Sequence, residues 1–199
     1  MGCFGSKNYS ARIVFVGLDN AGKSSILKFL TNNNGNINDE DEQTQPTIGY
    51  VKETIQRGHI ELQIWDVGGD AKGRDLWRHY IKNAQAIVFI VDSADEQRID
   101  GQGNLNDEQH AKFELHNVLK NDELQFTAPL LVYANKQDIN GALNRDEIDK
   151  RLNLGLLKGR PYFVQPSCAL NGNGINAGIE WLCKTLDEQR EKSKNQKKK

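Results

Sequence analysis

The chain has 199 residues, 37% of them hydrophobic and 27% charged, which suits one α/β domain with a single core. Its formal net charge of −1 argues against a general nucleic-acid binder, whose domain usually carries a basic face. Cys3, Cys168 and Cys183 are few, odd in number and without metal-ligand spacing, which fits a reducing cytosol, and no apolar run reaches the ~18–20 residues of a transmembrane helix.

In chain order, Met1-Gly2-Cys3-Phe4-Gly5-Ser6 fits the pattern for N-myristoylation of Gly2 once Met1 is removed. One myristoyl chain holds a membrane only marginally, and palmitoylation of Cys3 would supply the second signal that stable anchoring needs. An unmodified terminus is the alternative. Next come a strand, Ile13-Val14-Phe15-Val16, the loop Gly17-Leu18-Asp19-Asn20-Ala21-Gly22-Lys23-Ser24, and a helix through residues 25–30. This is the Gly-x4-Gly-Lys-Ser/Thr phosphate loop in the strand-loop-helix setting it requires. Its glycines let successive N–H groups, from Asp19, Asn20, Ala21 and Gly22 into Lys23, Ser24 and Ser25, turn toward one anion. Lys23 is expected to reach the β- and γ-phosphates, and the Ser24 hydroxyl to ligate Mg²⁺.

Residues 32–45, with the acidic run Asp39-Glu40-Asp41-Glu42, read as a loop too polar to build core. Pro46-Thr47-Ile48-Gly49 leads into an edge-type strand over 50–56 and a second strand over 59–65, a hairpin turning at Arg57-Gly58. The second strand runs into Asp66-Val67-Gly68-Gly69-Asp70, where Asp66 is placed to hold Mg²⁺ through water and the Gly69 N–H to meet the γ-phosphate. A short helix begins near Lys72 and contains Leu76-Trp77-Arg78-His79-Tyr80; the buried strand Ala86-Ile87-Val88-Phe89-Ile90-Val91 then ends at Asp92. Residues 95–109 read as loop, 107–120 as helix, and Leu130-Leu131-Val132-Tyr133-Ala134 as a strand delivering Asn135-Lys136-Gln137-Asp138. A helix over 145–152 has Asn144 as its N-cap. A strand over 162–165 precedes Ser167-Cys168-Ala169-Leu170, and a final helix spans 176–190. Arg190, Lys192, Lys194, Lys197, Lys198 and Lys199 face a lone Glu191, a basic end suited to an anionic leaflet or simply to solvent. The expected division is an acylation segment over 1–10, one domain over 11–190 and a basic tail over 191–199. Strands alternating with helices predict a mainly parallel sheet covered on both faces, with the motif loops converging at its carboxyl edge.

Asn135-Lys136-x-Asp138 selects the nucleotide. A carboxylate in the base plane accepts paired hydrogen bonds from N1–H and the 2-amino group of guanine, a pattern adenine cannot offer, and this nearly excludes a phosphate-loop kinase or ATPase. The phosphate loop, Pro46-Thr47, Asp66-x-x-Gly69, Asn-Lys-x-Asp and Cys168-Ala169 stand in the order of the small GTPases. The chain most resembles the ADP-ribosylation factor and ADP-ribosylation-factor-like branch, through Gly-Leu-Asp-Asn-Ala-Gly-Lys-Ser, Pro-Thr-Ile-Gly-Tyr, Trp-Asp-Val-Gly-Gly, Leu-Trp-Arg-His-Tyr, Asn-Lys-Gln-Asp and the initial Met-Gly. The resemblance implies a Ras-like fold with a six-stranded sheet and one antiparallel edge strand. It also implies that Thr47 ligates Mg²⁺ and senses the γ-phosphate, that the hairpin slides between nucleotide states, and that Tyr50, Trp65 and Tyr80 form an aromatic effector cluster. Cys168-Ala169 matches the loop whose backbone contacts the guanine oxygen.

Four departures stand out. Asp70 replaces the family's usual water-orienting glutamine; it only accepts hydrogen bonds, and at ~6 Å from a phosphate charge its repulsion reaches about 2–3 kcal/mol at an effective dielectric near 20. The segments before Thr47 and after Asp92 are longer than usual, and the N-terminus lacks the long apolar stripe of the family's amphipathic helix. The expected protein is therefore a monomeric GTP/GDP switch with slow hydrolysis, dependent on an exchange factor and an activating protein, and recruiting effectors at membranes. By analogy the setting is vesicle traffic, in the cytoplasm and peripherally on endomembranes such as the Golgi, or at the plasma membrane. The alternative is a recruitment module that binds GTP without useful hydrolysis.

Overall fold

The computed structural model describes residues 8–32, 47–101 and 110–196. Gly2, Cys3, the acidic run, most of both long insertions and Lys197, Lys198 and Lys199 lie outside them. Six strands, β1 (Tyr9–Val16), β2 (Tyr50–Arg57), β3 (Ile60–Val67), β4 (Ala86–Asp92), β5 (Leu130–Asn135) and β6 (Tyr162–Pro166), form one sheet in the order β2-β3-β1-β4-β5-β6. All neighbours are parallel except β2 and β3, so the antiparallel strand lies at the edge, as the sequence leads one to expect.

Strand periodicity divides the core. Val14, Val16, Ile87, Phe89, Leu130 and Val132 face one side, under α2 (Ala71–Ile81), α4 (Ala111–Leu119) and α5 (Arg145–Arg151). Ile13, Phe15, Val88, Ile90, Leu131 and Tyr133 face the other, under α1 (Lys23–Thr31) and α6 (Ile175–Gln196). Because β4 and β5 are covered on both faces, they read as unbroken apolar runs, whereas β2 is exposed along most of its length. Registers Val14↔Trp65, Val16↔Phe89 and Asp92↔Asn135 bring the carboxyl ends of β3, β1, β4 and β5 to one edge, with the loops that follow them.

Several bounds differ from the sequence reading. The stretch after Asp92 is not all loop: Gln97–Asp100 makes a helical turn, α3, pinned by the buried Ile99. α4 starts at Ala111 because the His110 Nδ1 caps it by accepting the Phe113 N–H. A 3-10 turn, Leu154–Leu156, follows α5, and α6 continues to Gln196 through residues read as tail. Asn144 caps α5 as expected, completing a reciprocal pair with Glu147.

α6 lies against β5 at Gly178, where an added Cβ would come within 2.6 Å of the Tyr133 ring. That ring is fully buried and its hydroxyl donates to the Ile175 carbonyl, so it has nowhere to retreat. Gly178→Ala gains about 1 kcal/mol of helix propensity but should lose more to the clash. Denaturant unfolding is expected to show a net loss of about 1–2 kcal/mol, and equal or higher stability would mean that the ring yields.

Candidate functional site

The converging loops enclose a cavity of about 440 Å³ lined by Asp19, Asn20, Gly22, Lys23, Ser24, Ser25, Thr47, Gly69, Asp70, Asn135, Lys136, Asp138, Ile139, Ala169 and Leu170. Sequence reasoning missed Ile139 and Leu170, apolar side chains that are 43% and 54% exposed. Their signal was their place, immediately after Asp138 and Ala169. Ala21, Asp66 and Cys168 stand just outside the lining, all three buried.

At the phosphate loop, α1 begins without a side-chain cap or an acidic residue in its first turn. α2, α4 and α5 each have a side-chain cap, so α1 alone among these four presents its first N–H groups and positive dipole end to the cavity. Gly22 at φ 93° makes the turn, and a Cβ there would lie 2.3 Å from the Asn135 Nδ2. The Lys23 ammonium is almost fully buried and donates to the Gly17 carbonyl at 3.0 Å and to that of Leu18 at 2.9 Å. Burial holds its pKa below the ordinary lysine value, against the pull of Asp66, Asp19 and Asp70.

The β3 end supplies the facing groups. Asp66 is fully buried; one carboxylate oxygen accepts the Ser24 hydroxyl at 2.5 Å, and the other is buried without a partner. The Thr47 hydroxyl lies 2.9 Å from that of Ser24. Burial raises the Asp66 pKa above the usual carboxylate range, although Ser24, Lys23 and Thr47 pull it down. Two hydroxyls, a carboxylate with an orphaned oxygen and an adjoining anion cradle are hard oxygen donors that fit a Mg²⁺ ion accompanying phosphate. Gly69 lies on the phosphate loop: its carbonyl accepts the Asp19 N–H at 3.1 Å, and a Cβ there would meet the Lys23 Nζ at 2.4 Å. The Asp70 carboxylate is the N-cap of α2, accepting the Gly73 N–H at 2.7 Å.

The β5 and β6 loops are tied to the same frame. The Asn135 amide donates to the Ala21 carbonyl at 2.9 Å, and its oxygen accepts the Ala169 N–H at 3.1 Å, so one side chain joins three loops. Lys136, in the left-handed region at φ 65°, pairs with Asp92 at 2.7 Å. The Asp138 carboxylate is exposed at the cavity. Burial, then the neighbouring Asp138 carboxylate, keeps the Cys168 thiol pKa above its ordinary value.

On the outer face, the Tyr50 and Tyr80 rings pack 4.9 Å apart, and Leu76, one helical turn before Tyr80, is exposed, as is Ile48 ahead of β2. Trp65 is only 9% exposed, between the Arg12 guanidinium at 4.0 Å and the Lys52 ammonium at 4.7 Å from its ring centre. Its indole is therefore mostly covered, while the two tyrosines are the accessible members of the predicted aromatic set.

The family model described as ADP-ribosylation factor family matches residues 1–186. Among solved structures, the Arl6 (BBS3) small GTPase from Trypanosoma brucei, determined with the bound nucleotide analogue GppNp, is similar at 30% identity and a TM-score of 0.77. The match covers 91% of this chain and 99% of that one. The likeness thus extends over the sheet and over every loop that lines the cavity. This chain belongs to the ADP-ribosylation factor family of small GTPases, guanine-nucleotide-binding switches that hydrolyse GTP.

Proposed function

We propose that this chain is a Mg²⁺-dependent GTP/GDP switch that turns over slowly on its own and recruits effector proteins at a membrane surface. The observation that carries the reading is the Ser24-Thr47-Asp66 group beside the buried Lys23, with one Asp66 oxygen unpartnered. Lys23 and the first turn of α1 bind the β- and γ-phosphates, the Gly69 N–H meets the γ-phosphate, and Asp138 reads the guanine edge. Lys136, anchored on Asp92, and Asn135, anchored on Ala21, hold the base loop against the phosphate loop. The base is closed in by Ile139, Leu170 and the backbone from Cys168 to Ala169. Ser24 and Thr47 would ligate Mg²⁺ and Asp66 would hold it through water, and the ion would supply positive charge against that of the phosphates.

Slow hydrolysis follows from Asp70. A glutamine at this position can orient water by donating and accepting, whereas Asp70 is already engaged as the cap of α2 and adds negative charge near the phosphates. That engagement also favours the second reading, a GTP-bound recruiter with no useful hydrolysis. In either case the surface formed by the exposed Ile48 and Tyr50 and the half-buried Tyr80, backed by Trp65, receives the effector. Acylation at Gly2 and Cys3, with the basic end of α6 near an anionic leaflet, supplies peripheral attachment to endomembranes or the plasma membrane in vesicle traffic. Among the described residues no helix is long and apolar enough to cross a membrane. An exchange factor reloads GTP, and an activating protein supplies the arginine that accelerates hydrolysis.

Three experiments test the site. Chelating Mg²⁺ should speed GDP release by at least ~10-fold in the wild type, whereas Asp66→Asn should release GDP quickly and respond less than about two-fold. Because the Asp66 pKa is raised, acidification through it favours the protonated form; Mg²⁺ affinity should weaken as pH falls, and Asp66→Asn should flatten that dependence. A wild type indifferent to chelation would remove Asp66 from the role. In single-turnover hydrolysis with an activating-protein preparation, Asp70→Gln should exceed the wild type by roughly 10-fold or more. Equal rates would mean that Asp70 is not limiting. Stimulated turnover by the wild type would favour the timed switch, and turnover by the glutamine variant alone would favour the recruiter.

A further inference from the structure

Three carboxylates bear on the Lys23 ammonium: Asp66, Asp19 and Asp70. Asp66 is bonded to Ser24, and Asp70 caps α2. The partner of Asp19 comes from outside every motif. The Arg98 Nη1 donates to the Asp19 Oδ1 at 3.1 Å, and its Nη2 lies 3.5 Å from the Asp19 carbonyl. Behind it, the Arg98 Nε is held by Asp95 at 2.7 Å. The turn that carries Arg98 is fastened in turn: Ile99 is buried in the core, and Arg151 of α5 binds Glu96 at 2.6 Å and approaches Asp100 at 3.7 Å. Arg98 is thus presented to the phosphate loop by a braced element.

Asp19 sits where charge matters for the terminal phosphate. Its N–H bonds the Gly69 carbonyl, and the Gly69 Cα side faces Lys23 and the Asp19 backbone at contact distance. Asp19 and Lys23 line the same cavity, and the Asp19 carboxylate acts on the Lys23 ammonium, so a γ-phosphate that meets Lys23 would lie near that carboxylate, and GDP has no group at that place. An unneutralised Asp19 penalises GTP more than GDP.

We propose that Arg98 is a positioning and specificity-determining residue of the nucleotide site, neutralising Asp19 and fixing its carboxylate so that the loop accepts a triphosphate as readily as a diphosphate. This rests on the guanine-nucleotide switch reading. The test measures affinities for GDP and for a non-hydrolysable GTP analogue, with Mg²⁺ at low and physiological salt, for wild type, Arg98→Ala, Arg98→Lys and the double variant Arg98→Ala with Asp19→Asn. In Arg98→Ala the affinity for the analogue relative to GDP should fall about three- to ten-fold at low salt, less at physiological salt, with GDP affinity changed less than about two-fold. Arg98→Lys should retain most of the ratio, and the double variant should recover it, because the uncompensated carboxylate is gone. Equal losses for both nucleotides, or no recovery in the double variant, would make Arg98 only a brace and overturn the proposal. A wild type that binds neither nucleotide would instead defeat the switch reading itself. Melting temperatures accompany each variant, and if Arg98→Ala fails to fold, the neutral Arg98→Gln with and without Asp19→Asn carries the same comparison.

Discussion

A lysine ammonium and an aspartate carboxylate buried together at the carboxyl edge of the sheet are the constraint on which this protein turns. Removing such groups from water costs several kcal/mol each, and their mutual attraction offsets that only when the remaining donors and acceptors are satisfied. Lys23 finds two loop carbonyls, and Asp66 finds one hydroxyl but leaves an oxygen orphaned. Burial disfavours both charged forms, shifting the pKa of Lys23 downward and that of Asp66 upward, a cost that on the proposed reading a bound polyphosphate and its cation would relieve. On that reading stability and ligand binding are linked, since the groups that burial penalises most are those that would hold the nucleotide.

The parallel registers make this possible. Strand ends at Val16, Val67, Asp92 and Asn135 reach one edge, so short loops meet without long connections, and Asn135 ties the phosphate loop to the base loop. Displacing the β5 loop would therefore disturb the phosphate loop as well. Gly22 and Gly69 are fixed by the same closeness, for any side chain at either position would occupy atoms of the neighbouring loop.

The parts that were legible in the sequence are those whose chemistry is local. A Gly-x4-Gly-Lys-Ser run after an apolar strand and a carboxylate at the end of β3 announce themselves through neighbours in sequence, and the buried strands through unbroken apolar runs. The α3 turn did not, because four residues with one apolar side chain carry no period; only the tertiary burial of Ile99 and the ion pairs of Arg151 reveal it. Arg98 was silent for the same reason. The length of α6 was misjudged because its last two turns are polar all round, and continuation of an existing helix needs no apolar face. Trp65 was placed in an aromatic set by resemblance, but the cations that cover it come from β1 and β2 and are far from it in the chain.

Asp70 is where local rules and the resemblance diverge, and the structure gives the substitution a physical logic. Aspartate is a strong N-cap and glutamine a weak one, with a difference on the order of 1 kcal/mol for the helix it begins. That helix also bonds the Gly69 and Gly68 carbonyls through Arg74 and Trp77, so a firmer α2 holds the phosphate-facing glycines more rigidly. The same carboxylate that orders the segment lines the cavity but is engaged by the Gly73 N–H, and on the proposed reading it does not orient water. On the proposed reading, a side chain that improves the scaffold of a switch segment while degrading its chemistry would lengthen the GTP-bound state twice over, by firming the segment that faces the nucleotide and by slowing the reaction that ends that state.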